Sequence, residues 1–191
     1  SFGSPYLFTK GGWSLEKLGQ LMLFADARLM RQSGWLPLYP WGEVMRVGRA
    51  FVESPVFPLP FRGFAPGSME PHVYSQHMAL AMERANLDVM AGMFRTVFER
   101  RARGLDHGGL EGFEGAFEKL DLPLLVVAGQ KDDLASPDAV KPAFERSRSS
   151  DKTYRVFPAG HIDLLVGKNA PSTSWAALEA WLSRRTRAAA A

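Results

Sequence analysis

Apolar residues in the first hundred positions recur with a helical period, and the pattern changes character near residue 118. Leu15, Leu18, Met22, Ala25 and Leu29 are spaced 3-4-3-4, which lines one helix face, with Ser14 as N-cap and a stop near Gly34. A shorter helix is predicted over 42–51, with Val44, Val47 and Phe51 turned inward and Pro55 ending it. Pro55, Pro58, Pro60, Pro66 and Pro71 then exclude both a helix and a central strand. Phe57, Phe61 and Phe64 make that stretch an ordered aromatic loop rather than a polar linker. Two helices are expected at 73–85 and 87–101. In the second, Leu87, Met90, Phe94 and Val97 repeat the 3-4-3 face.

Beyond residue 118 the apolar run Leu124-Leu-Val-Val-Ala128 shows no alternation and is bounded by Pro123 and Gly129. Such a run predicts a strand buried on both faces, as in a parallel sheet. Ser136-Pro137-Asp138 reads as an N-cap, a first-turn proline and an acid, starting a helix over 138–148. A second strand at 153–157 turns at Pro158-Ala-Gly160. A closing helix over 172–185 is expected to turn Trp175, Leu178 and Leu182 inward. The last third is thus strand–helix–strand–helix, an α/β pattern, and the two strands are expected to be parallel neighbours.

With 191 residues the chain can bury one sizeable core, and its 46% hydrophobic and 23% charged residues are those of a globular domain. The net charge of +3 comes with no basic stripe interleaved with aromatics, so nucleic acid is not an expected partner. Arg95, Arg100, Arg101 and Arg103 fit a solvated helix end. The absence of cysteine excludes disulfides, thiolate zinc sites and a cysteine nucleophile within the chain. No apolar run is long enough for a membrane span, and the opening residues do not show the basic-then-apolar pattern of a signal peptide. The compartment stays open, with a soluble cytoplasmic location marginally favoured. The first residue is Ser, so the start reads as a cut or processing point.

Of the four histidines, His72, His77 and His107 have no spacing that suggests a metal site or a base. His161 follows a strand and a turn, at a strand's carboxyl end, where open α/β sheets place their sites. Asp132 stands just past the carboxyl end of the preceding strand. If the strands are parallel neighbours, the two emerge side by side and should hydrogen-bond, the carboxylate fixing the imidazole tautomer. The bland alternative is a turn aspartate and a surface histidine. Asp163 is expected to serve its own loop's hydrogen bonds. Phe57, Phe61, Phe64, Met78, Met82, Met90 and Met93 either line an acyl pocket or form ordinary core, and core is the commoner outcome.

The segment Pro123-Leu-Leu-Val-Val-Ala-Gly-Gln-Lys-Asp132-Asp-Leu-Ala-Ser-Pro137 resembles the acid-bearing strand and loop of α/β-hydrolase fold enzymes. Phe157-Pro-Ala-Gly-His161-Ile-Asp-Leu-Leu-Val-Gly167 resembles their histidine loop. Lys168-Asn-Ala-Pro171 followed by a Trp-containing helix resembles a lipase- or polyester-synthase-like branch, and Ser1-Phe-Gly-Ser-Pro5 the strand end before such enzymes' helical cap. The resemblance implies an α/β fold, the C-terminal part of a parallel sheet preceded by a mostly helical cap. It divides the chain into the end of a core strand (1–8), a cap (9–116) and the C-terminal part of the core (117–191). It implies Asp132 as the triad acid, with Asp133 as the competitor, and His161 as general base. Neither a metal nor an organic cofactor is implied.

The family also needs a nucleophile on a Gly-x-Ser-x-Gly turn, and the chain has none. Gly3-Ser4-Pro5 and Gly67-Ser68-Met69 are the nearest shapes. The expectation is therefore the C-terminal portion of a longer hydrolase, an esterase or lipase-like enzyme whose serine lies upstream. A hydrophobic acyl or ester substrate and a missing N-terminal portion or partner chain are its expected partners, and the chain alone is expected to be inactive. The alternatives are a polyester-synthase-like acyltransferase and a non-catalytic binding module derived from the same fold.

Overall fold

The structure is a computed structural model that describes residues 1–7, 10, 13–28, 35–37, 39–54, 57, 63–81, 84–104 and 117–189. The helical part comprises α1 (Trp13–Arg28), α2 (Tyr39–Val47), α3 (Arg49–Val52), α4 (Pro71–Ala81) and α5 (Leu87–Ala102). α1 begins at Trp13, so Ser14 lies inside the helix rather than at its cap. Leu29 and Gly34 lie outside the described residues, as do Phe61, Met82 and His107. Two short strands not expected from the sequence, β1 (Trp35–Pro37) and β2 (Arg84–Asn86), pair antiparallel across this region.

The segment expected as one helix over 42–51 is broken at Gly48, and its buried face is not the expected one. Val44, Val47 and Phe51 are exposed, whereas Met45 and Val52 are buried. Met45 lies on α2 and Val52 on α3, on either side of the break. They join Phe57, Phe64, Met69, Tyr74 and Met78 in a single apolar cluster. The hydroxyl of Tyr74 donates to Met45 O at 2.6 Å, and the Arg49 guanidinium lies 4.9 Å from the Tyr74 ring centre. Phe57, Phe64 and Met78 are therefore core, while Phe61 and Met82 fall outside the description.

In the last third, β3 (Leu124–Gly129) and β4 (Lys152–Phe157) pair in parallel, joined through α6 (Pro137–Arg146). The Ser136 hydroxyl caps α6, accepting the Ala139 N–H at 3.3 Å. β3 is buried along its whole length. Leu124, Val126 and Ala128 pack against Val140 and Ala143 of α6. Leu125 and Val127 face the other way, onto Leu164 of α7 (Asp163–Val166) and onto Leu178 and Trp181 of α8 (Ala176–Ala189). The result is helix on both faces of a parallel strand pair, which explains the unalternating apolar run.

Trp175 and Leu182, expected to turn inward, are instead half exposed. A wide turn over Pro171–Trp175 precedes α8, and it is Leu178 with Trp181 that face the sheet. The Trp175 indole donates to Leu165 O at 2.9 Å instead of packing beneath the strands.

The opening residues pair with the edge of β3 that faces away from β4. The Ser1 amino group donates to Leu125 O at 2.7 Å, Val127 N–H to Ser1 O at 2.9 Å, and Gly3 N–H to Val127 O at 2.8 Å. Phe2 makes a parallel bridge with Val127. Three parallel stretches thus lie side by side, with β3 in the middle.

Candidate active site

The carboxyl ends of β3 and β4 are bound to each other by backbone before any side chain is considered. Gln130 N–H donates to Phe157 O at 2.7 Å and Lys131 N–H to Ala159 O at 3.0 Å. The approach is closest at Gly129, where an added Cβ would lie 2.4 Å from Ala159 O, so position 129 admits only glycine without a shift. These contacts deliver Asp132 and His161 to one place from positions 29 apart in sequence.

His161 Nδ1 lies 2.9 Å from Asp132 Oδ2. The Asp132 side chain is fully buried and the His161 side chain is 34% exposed. Asp132 Oδ1 is also occupied, accepting the Leu134 N–H at 2.9 Å and the Ala135 N–H at 2.7 Å. The carboxylate is therefore fixed by its own loop and presents its second oxygen to the ring. Since an ionised carboxylate only accepts, its bond to the ring requires the proton on Nδ1, and a neutral ring then keeps its free lone pair on Nε2. Asp133, the competing acid, is exposed and makes no such contact.

Gly3 closes the third side. Its φ is +52°, and an added Cβ would lie 3.2 Å from His161 Nδ1 and 3.3 Å from Asp132 Oδ2. In the sequence Gly3 stands only within the Ser1–Pro5 stretch that resembles a strand end, with nothing there tying it to the pair.

The other candidates are elsewhere. Ser68 donates to Asp163 Oδ1 and lies beside Ala65 O, both at 2.5 Å, and is not bonded to His161. Ser4 is exposed. Neither is activated by the imidazole in this arrangement. His72 is exposed, and burial pushes the imidazole of His77 below its ordinary value. Among the described residues, no group of three or more His, Asp or Glu side chains could hold a metal ion. Also among them, no helix is long and apolar enough to cross a membrane.

A parallel α/β unit with a buried aspartate bonded to a partly exposed histidine at the strands' carboxyl ends is the class of arrangement seen. No family model matches the chain. Two curated proteins are similar over part of it, the poly(3-hydroxyalkanoate) polymerase subunits PhaC of Haloferax mediterranei and of Haloarcula marismortui. Each is 31% identical over 77 residues, 40% of this chain and 16% of the relative's length. The chain thus matches about one sixth of those relatives.

Proposed function

We propose that this chain supplies the general base and its orienting acid to an α/β-hydrolase-fold enzyme that transfers acyl groups. The supporting observation is the 2.9 Å contact between His161 Nδ1 and an Asp132 carboxylate already anchored by two backbone amides. In this reading 1–8 end a core strand, 9–116 form the cap, and 117–191 complete the core. The nucleophile, a hydroxyl or thiol, comes from a segment outside these 191 residues. His161 Nε2 takes its proton as it attacks the acyl carbon and returns that proton to the leaving group. Asp132 holds the Nδ1 proton and stabilises the imidazolium formed in between.

The partial likeness to poly(3-hydroxyalkanoate) polymerase subunits favours acyl transfer to a hydroxyl over transfer to water. The substrate class is then an activated 3-hydroxyacyl group and the acceptor a growing polyester end. The same dyad would serve an esterase, since the acceptor alone differs.

The test is reconstitution of the complete enzyme with acyl transfer and ester hydrolysis measured side by side. His161→Ala should lower turnover by about 10³-fold or more. Hydrolysis outrunning transfer would restore the esterase reading. Turnover unaffected by His161→Ala would leave a non-catalytic module. Residues 1–191 alone should show no turnover, because an oxyanion-stabilising donor and a nucleophile are both required.

A further inference from the structure

A second buried carboxylate stands two residues past His161 and takes no part in the pair. Asp163 opens α7 and is 5% exposed. Its Oδ2 accepts the Gly160 N–H at 2.9 Å and the Ala65 N–H at 2.8 Å. Its Oδ1 accepts the Ser68 hydroxyl at 2.5 Å. Only the first of these bonds serves its own loop. The other two reach back 98 and 95 positions in sequence, to the loop that precedes α4.

Backbone bonds reinforce the same junction. Ile162 N–H donates to Gly63 O at 2.7 Å and Lys168 N–H to Ser68 O at 2.8 Å. At Gly160 an added Cβ would lie 2.9 Å from Asp163 Oδ2 and 3.0 Å from Phe64 Cα. Both neighbours of His161 in the chain, Gly160 and Ile162, are therefore tied to the 63–68 segment, one of them through Asp163. A carboxylate this deeply buried is costly unless donors saturate it, and three do. A surface loop needing only its own turn would not require that arrangement.

We infer that Asp163 is a positioning residue for His161, clamping the 63–68 segment onto the histidine loop so that the imidazole keeps its alignment to Asp132 only while that segment is docked. The inference rests on His161 as the proposed base. Its consequence is regulatory: displacing the 63–68 segment strips Asp163 of two of its three donors and frees the Ile162 N–H, and the base loses its place beside its acid.

The experiment is nuclear magnetic resonance on the isotopically labelled chain, following the His161 ring signals and amide exchange at Gly160 and Ile162. Asp163→Ala removes all three acceptor contacts. It should abolish the slowly exchanging Nδ1 proton signal and speed exchange at Gly160 by about tenfold or more, the equivalent of one lost charge-assisted bond. Asp163→Asn should preserve both. Its carbonyl can take the two N–H groups, and its amide can donate to Ser68 Oγ, whose own proton turns to Ala65 O. Ser68→Ala should speed exchange at Gly160 relative to Asp163→Asn. Ser174→Ala is the control for general loosening, because Ser174 donates to Leu164 O at 2.5 Å and is bonded neither to His161 nor to the 63–68 segment. It should lower stability and leave the His161 signals in place.

Unchanged His161 signals in Asp163→Ala, or equal disturbance by Ser174→Ala, would overturn the inference. If Asp163→Ala does not fold, equal Gly160 exchange in Ser68→Ala and Asp163→Asn overturns it instead. The readout needs no turnover, so loss of this coupling is distinguishable from failure of His161 as a base in the complete enzyme.

Discussion

Asp132→Asn and Asp132→Ala should fail in different ways, and the difference follows from which oxygen does what. Oδ1 accepts two backbone N–H groups, at 2.9 and 2.7 Å, while Oδ2 faces the His161 ring at 2.9 Å. In Asp132→Asn the carbonyl oxygen must stay on the two backbone donors, because turning the amide over would set its N–H groups against theirs. The amide nitrogen is then forced toward His161 Nδ1. Two donors cannot share that contact, so the ring proton moves to Nε2 and the free lone pair is lost. Stability should change by less than about 1 kcal/mol, since one hydrogen bond is exchanged for another. Turnover of the complete enzyme should fall by about 10⁴-fold, as when a triad loses its proper tautomer.

Asp132→Ala instead leaves the Leu134 and Ala135 amides without an acceptor. Each stranded donor costs about 1–3 kcal/mol, so a loss near 3 kcal/mol is expected against a total of roughly 5–15 kcal/mol. Urea unfolding of the chain gives the stability difference, and ring nitrogen shifts give the tautomer. Asp133→Asn should change neither quantity. Equal destabilisation by Asn and Ala, or an Asn variant whose His161 still carries its proton on Nδ1, would refute the assignment of roles to the two oxygens.

Gly3→Ala combines a positive φ with a close approach to the pair; it should cost about 1–2 kcal/mol in thermal unfolding and perturb the His161 signals. Gly129→Ala should cost about 2 kcal/mol or more, because the new methyl meets the Ala159 carbonyl rather than a flexible side chain. Met45→Ala should cost about 2–5 kcal/mol while Val44→Ala stays within about 0.5 kcal/mol, and the reverse ranking would show that α2 buries its other face. The His77 imidazole is held below its ordinary value of 6.5 by burial. The unfolded chain then binds the proton more tightly, so stability is full above pH 6.5 and declines as pH falls below it, and His77→Gln should reduce that decline in acid denaturation.

The last third was legible from sequence because each local signal there agreed with the tertiary outcome. An unbroken apolar run predicted a strand covered on both sides, and Ser136 with Pro137 predicted a helix start. The strand order then placed Asp132 and His161 together. The helical part misled where one residue changed the register. Val44, Val47 and Phe51 have helical spacing, yet the break at Gly48 and the pull of the Phe57, Phe64 and Met69 cluster select Met45 and Val52. Periodicity reports that a face exists, but only packing partners choose which one. Trp175 failed similarly, because a wide turn before α8 is invisible to a count of three and four. Gly3 and Asp163 were visible as residues but not as parts of the site, since the partners of Gly3 and two of the three partners of Asp163 lie more than ninety positions away.

The way His161 is held bears on the choice between a catalytic base and a structural histidine. A structural imidazole is best buried with both ring nitrogens satisfied, because each unpaired nitrogen is a desolvation cost. Here one nitrogen is bonded to a fully buried carboxylate, and Asp132 is the ring's one side-chain partner among the described residues. The ring itself remains a third exposed. Meanwhile three segments distant in sequence constrain its position: the β3 loop through Asp132, the opening residues through Gly3, and the 63–68 segment through Gly63 and Asp163. Such fixing of one half of a ring, with the other half left accessible, adds little to folding beyond what a buried apolar side chain would give. It does meet the requirement of general base catalysis, which needs an unencumbered lone pair held within a fraction of an ångström of its working position.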